Sequence, residues 1–65
     1  MHKLKGQIYE HLNTGNRYEF LGMALLESTT QTMVIHRCLD SEMVWVRPAK
    51  EFFDGRFEIV IEGDK

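Results

Sequence analysis

Short runs of alternating apolar and polar residues recur along the chain, separated by clusters of turn-forming residues, and no long segment carries a helical period. The first run is Gln7-Ile8-Tyr9-Glu10-His11-Leu12. It stops at Asn13-Thr14-Gly15-Asn16, whose Asn and Gly residues tolerate the positive φ that a tight hairpin demands. The second run, Arg17 to Leu26, sets Tyr18 and Phe20 on one face and Arg17 and Glu19 on the other. From Leu21 onward both faces turn apolar around Gly22, which predicts a bulge or corner there.

After the polar loop Glu27-Ser28-Thr29-Thr30-Gln31, a third strand is predicted over Thr32 to Leu39. In it Met33, Ile35 and Arg37 lie opposite Val34, His36 and Cys38. The fourth, Met43-Val44-Trp45-Val46-Arg47, is ended by Pro48, which cannot donate to a ladder and holds Arg47 extended. Proline also suits the first position of a helical turn, so Pro48 to Phe53 is read as one short helical or 3-10 turn that folds an aromatic under the barrel. Asp54-Gly55 then turns the chain into a last strand, Arg56 to Glu62, with Phe57, Ile59 and Ile61 expected inward and Val60 out of pattern. Four strands, a helical turn and a fifth strand predict an all-β domain, a small five-stranded SH3-like barrel, spanning residues 5–62 with short polar termini outside it.

Composition narrows the class. A chain of 65 residues holds one domain and buries roughly 60% of its unfolded surface, which leaves every segment needed for the core. Hydrophobic residues at 43% and charged residues at 28% suit a folded chain. The single cysteine, Cys38, forbids an intrachain disulfide, and no apolar run approaches the roughly 18 residues that span a bilayer. The start, from Met1 to Gly6, lacks the apolar stretch of a signal peptide. A reducing cytoplasm, without membrane association, is the expected setting. The net charge of -2 gives no long-range attraction to a phosphate backbone.

Four ordered motifs carry a resemblance: Gly6-Gln7-Ile8-Tyr9-Glu10-His11, Tyr18-Glu19-Phe20-Leu21-Gly22-Met23-Ala24, Val34-Ile35-His36-Arg37 and Trp45-Val46-Arg47-Pro48. Together they resemble a family of small bacterial domains known as domain of unknown function 1653. The resemblance implies a shared compact β fold and carries no activity, cofactor or catalytic residue. This chain departs from the family pattern at His36, where tyrosine is usual, at Glu51-Phe52, where Met-Phe is usual, and in the loop Glu27-Ser28-Thr29-Thr30.

Candidate chemistry is sparse. His36 and Cys38 share a strand face, as a thiolate pair or a metal site would need. Only His2 and His11 remain as further nitrogen donors, without metal-ligand spacing, so a plain strand pair is the simpler reading and no metal or cofactor is expected. The carboxylates are scattered singly through turns and outward positions, and no phosphate loop or nucleophile elbow is present. An enzyme is not expected.

Aromatic and cationic side chains instead recur on neighbouring strands, and Tyr9, Tyr18, Arg37, Trp45 and Arg47 are the candidate binding residues. Trp, Tyr and Arg combine large contact area with directed polar groups. Arg37 and Arg47 each interrupt an apolar strand and need a partner. They either share a face beside Trp45 as a basic aromatic patch or pair with Glu10, Glu19 or Glu58 as structure. The expectation is a non-enzymatic module that recognises a protein or peptide. The alternatives are a nucleic-acid-binding barrel and a structural module that forms a homodimer through its last strand, where exposure of Val60 would be the sign.

Overall fold

The computed structural model describes residues 5–61. Five antiparallel strands form one sheet: β1 (Ile8–His11), β2 (Arg17–Leu26), β3 (Gln31–Cys38), β4 (Val44–Pro48) and β5 (Phe57–Ile59), in the order β4-β3-β2-β1-β5. A single helical turn, α1 (Ala49–Phe52), joins β4 to β5. The β1–β2 hairpin closes as the sequence predicts: His11 N–H donates to the Asn16 carbonyl at 2.8 Å, and Gly15 takes φ +81°. The predicted corner is a bulge. Register against β3 shifts between Phe20 and Gly22, with Leu21 as the extra residue and Gly22 at φ +150°, a backbone state that side chains rarely adopt.

Three expectations are corrected. Among the described residues the sheet is not closed as a barrel: β4 and β5 stand at opposite edges and do not pair. The turn after Pro48 is α-helical rather than 3-10, with Phe53 N–H donating to the Ala49 carbonyl at 3.0 Å. The last strand is short. Phe57 is buried, but Ile59 and Ile61 are exposed because they run beyond the cover that α1 provides, and Glu62, the expected end of the strand and domain, lies outside the described residues. Pro48 is itself the last residue of β4, opposite Met33, and its missing N–H is no loss where the backbone nitrogen faces away from β3.

Alternation on β3 explains the layering. Val34, His36 and Cys38 are buried on the face that α1 covers, while Met33, Ile35 and Arg37 are half-buried on the outer face. On the inner face Tyr9, Phe20, Val34, Phe52 and Phe57 form the core, with Tyr18 and Ala49 packed against it. Phe52 is the keystone. It is fully buried, stacks on Phe57 with ring centres 4.2 Å apart and planes 10° apart, and meets Tyr9 edge-on at 5.0 Å. α1 has too few residues to stand alone, so it is held by this one aromatic rather than by helix propensity. The core fills only part of the sheet: Met23, Leu25 and Leu26 at the far end of β2 remain exposed, and the domain measures 43 × 29 × 19 Å.

Candidate functional site

The five candidate residues do not converge on one surface. Tyr9 is core, 4% exposed, and its hydroxyl is buried without a hydrogen-bond partner among the described residues, so burial raises its pKa. Tyr18 lies opposite both Tyr9 and Cys38 and packs edge-on against His36 at 5.1 Å and Phe57 at 5.8 Å. Arg37 lies on the outer face, opposite Val44 and Glu19, and its guanidinium donates to the Glu19 carboxylate. Trp45 and Arg47 occupy the inner face of β4, opposite His36 and Val34. The two arginines therefore point to opposite sides of the sheet.

Sequence parity alone separates Arg37 from Arg47 only once the β3–β4 register is known. The register that pairs Met33 with Pro48 and Arg37 with Val44 assigns them to different faces. Arg37 is thereby the structural arginine. Arg47 reaches across the inner face until its guanidinium carbon stands 5.3 Å from the centre of the Phe57 ring, a cation–π contact, and no carboxylate pairs with it among the described residues.

His36 sits beneath this arginine. It is 3% exposed and surrounded by Tyr18, Phe52 and Phe57, and its Nδ1–H donates to the Val34 carbonyl at 3.3 Å. Burial lowers its pKa below the ordinary value, partly opposed by the Val34 carbonyl and reinforced by the charge of Arg47. The imidazole is a core side chain, the same size class as the aromatics around it. Cys38, two residues on, shares the face but belongs to the β3–β4 turn. Hydrogen bonds from the Ser41 backbone and hydroxyl, and from the Asp40 backbone, lower its thiol pKa. Among the described residues no three His, Cys, Asp or Glu side chains gather closely enough to hold a metal ion.

Trp45 is where the aromatic reading meets solvent. It is 53% exposed, and its neighbours Val44 and Val46 are 52% and 59% exposed. Three consecutive large apolar residues are thus solvent-facing on an edge strand, Val44 and Val46 toward the outer face and Trp45 toward the inner. Sequence reasoning singled out Trp45 but not the two valines. Their alternation with Trp45 and Arg47 suits a strand buried on both faces, and only the sheet order reveals that β4 has a neighbour on one side alone.

A separate open groove of about 510 Å³ lies where the end of β1 meets the start of β5, lined by His11, Leu12, Asn13 and Arg56. Its arginine is engaged by Asp54 at 3.1 Å and Glu51 at 3.7 Å, and the His11 Nδ1 within it is buried without a partner among the described residues. It shares no residue with the Trp45 surface. No helix among the described residues is long and apolar enough to cross a membrane.

Over residues 5–65 the sequence matches the family described as "Protein of unknown function (DUF1653)", and the chain belongs to that family. No curated protein and no solved structure matches it.

Proposed function

We propose that the domain is a non-enzymatic binding module that recognises a protein or peptide partner through β4, with Trp45 as the anchor and Arg47 as the directed polar group. The observation that carries this reading is the half-exposed Val44-Trp45-Val46, three consecutive apolar residues on an edge strand that has a neighbour on one side alone. Tyr9 and Tyr18 then serve the fold beneath the surface, and Arg37 pairs with Glu19 on the other side. The same placement weakens the nucleic-acid reading. Arg17, Arg37 and Arg56 each face a carboxylate, so the described arginines do not combine into the basic face that a phosphate backbone requires.

The element order also supports kinship with SH3-like domains, as an opened form in which a side chain rather than a backbone ladder links the two edges. Arg47 on Phe57 is that link. The test is an amide NMR titration of the labelled domain against a peptide pool and a single-stranded oligonucleotide. Shifts that cluster on β4 with peptide, and vanish in Trp45→Ala while the variant stays folded, support the reading. Salt-sensitive shifts with the oligonucleotide alone would replace it by nucleic-acid binding.

A further inference from the structure

The phase of the β3–β4 ladder follows from one bond: Cys38 N–H donates to the Met43 carbonyl at 2.9 Å. Hydrogen-bonded pairs in an antiparallel ladder recur at every second residue, so His36 with Trp45 and Val34 with Arg47 face each other with their backbone groups. The N–H and C=O groups of Val44 and Val46 consequently point away from the sheet. Beyond them Pro48 has no donor, and as the N-cap of α1 its carbonyl belongs to the helix. The free edge is a short template with two donors, closed at one end by the proline.

Edge strands are ordinarily blunted by charges, bulges or extreme shortness. β5 uses the last of these, with three residues. β4 has five residues and no bulge against β3; its one charge, Arg47, is drawn over Phe57, and its proline stands at the very end of the strand. On its outer face Val46 continues the apolar strip of Met33 and Ile35 while Val44 lies beside Arg37, and its inner face offers Trp45 beside a guanidinium without a carboxylate.

Resting on the reading of β4 as the recognition edge, we propose that β4 takes its partner by strand addition: an extended antiparallel peptide segment, acidic opposite Arg47, large and apolar opposite Trp45, and β-branched opposite Val44 and Val46. A second copy of the chain is the poorer occupant. β4 contains no acidic residue, so pairing it with itself leaves both Arg47 side chains without a carboxylate. The last strand is poorer too, since Val60 is half-buried. Antiparallel addition continues the direction of every pair already in the sheet.

The probe is the capped peptide acetyl-Ser-Glu-Val-Phe-Val-Thr-Lys-amide, titrated into the full labelled chain. In antiparallel register its Glu meets Arg47, its Phe meets Trp45 and its two Val residues meet Val46 and Val44. Binding is expected to slow hydrogen exchange at the Val44 and Val46 amides by about ten-fold or more. Replacing the probe's Glu by Lys should weaken binding about five-fold or more.

Val46→Pro removes one outward N–H and spares the ladder to β3, so it should keep the folded spectrum and lose about ten-fold in affinity. If that variant does not fold, N-methylation of both Val residues of the probe removes the same backbone pairing from the other side and should abolish binding. Binding that survives N-methylation or Val46→Pro but is lost in Trp45→Ala overturns strand addition and leaves the recognition surface standing. Binding indifferent to Trp45→Ala, or absent at about 1 mM probe, overturns strand addition, the former outcome taking the proposed surface with it. A free chain that sediments as a dimer with Val44 and Val46 already protected assigns the edge to a second copy instead.

Discussion

Arg47 extends from one edge strand of the sheet to stand 5.3 Å over the ring of Phe57, which belongs to the other edge strand. The sheet is thus curled far enough for its edges to communicate through side chains while their backbones stay unpaired. Phe57 stacks in turn on Phe52 and lies edge-on to His36, so the arginine roofs the aromatic core. The β4 backbone edge itself pairs with no other strand among the described residues.

Trp45→Ala should cost about 1–2 kcal/mol, well short of a core aromatic, because only about half of the residue is buried. A denaturant melt at constant m-value checks it. A loss of several kcal/mol would mean the indole packs into the core.

Phe52→Ala, by contrast, removes the side chain that holds α1 and stacks on Phe57, at a cost of about 3–5 kcal/mol. A domain of this length has roughly 3–10 kcal/mol in total, so the variant should lose about a third of its stability or more, and unfold outright at the lower end of that range. Circular dichroism and the same melt report it.

His36 makes stability depend on pH. Its folded pKa lies below the ordinary value of about 6.5, so between the two the unfolded chain binds more protons and stability rises with pH. The domain should be at full stability above about pH 6.5 and lose it as the pH falls from there through the folded pKa. His36→Tyr, which keeps an aromatic at this position and removes the titrating imidazole, should flatten that slope below about pH 6.5. Equal slopes in both proteins would show that burial of the imidazole is not its source.

Arg47→Met keeps an apolar stem over Phe57 and removes the charge. The His36 pKa, followed by its imidazole proton shifts, should move toward the ordinary value, because Arg47 is one of the groups that lower it. Stability at neutral pH should fall by about 0.5–1 kcal/mol, the worth of a partly exposed cation–π contact. An unmoved titration would place the guanidinium elsewhere in solution.

Glu19→Gln should cost about 0.5 kcal/mol, less in high salt, since the pair with Arg37 is partly exposed and screened. Double-mutant cycles with Arg37→Met isolate the interaction. A coupling near zero would leave Arg37 unpartnered in solution and reopen a binding role for it.

The first four strands, the Gly15 hairpin, the Gly22 bulge and the division of β3 into two faces were legible because each is a local matter: alternation, turn chemistry and proline geometry act over a few residues. Phe52 as a buried aromatic beneath the sheet follows equally from the helical turn after Pro48. What sequence could not fix is non-local. Whether Ile59 and Ile61 are covered depends on how far a one-turn helix reaches, and whether the sheet closes depends on curvature accumulated over five strands. Nothing in the alternation marks Val44 and Val46 as exposed, because an apolar strand looks the same with one neighbour as with two. The sequence determined which residues share a strand and a face; only the tertiary structure decided which strand lies at the edge, because pairing order is set by distant segments competing for the same backbone groups.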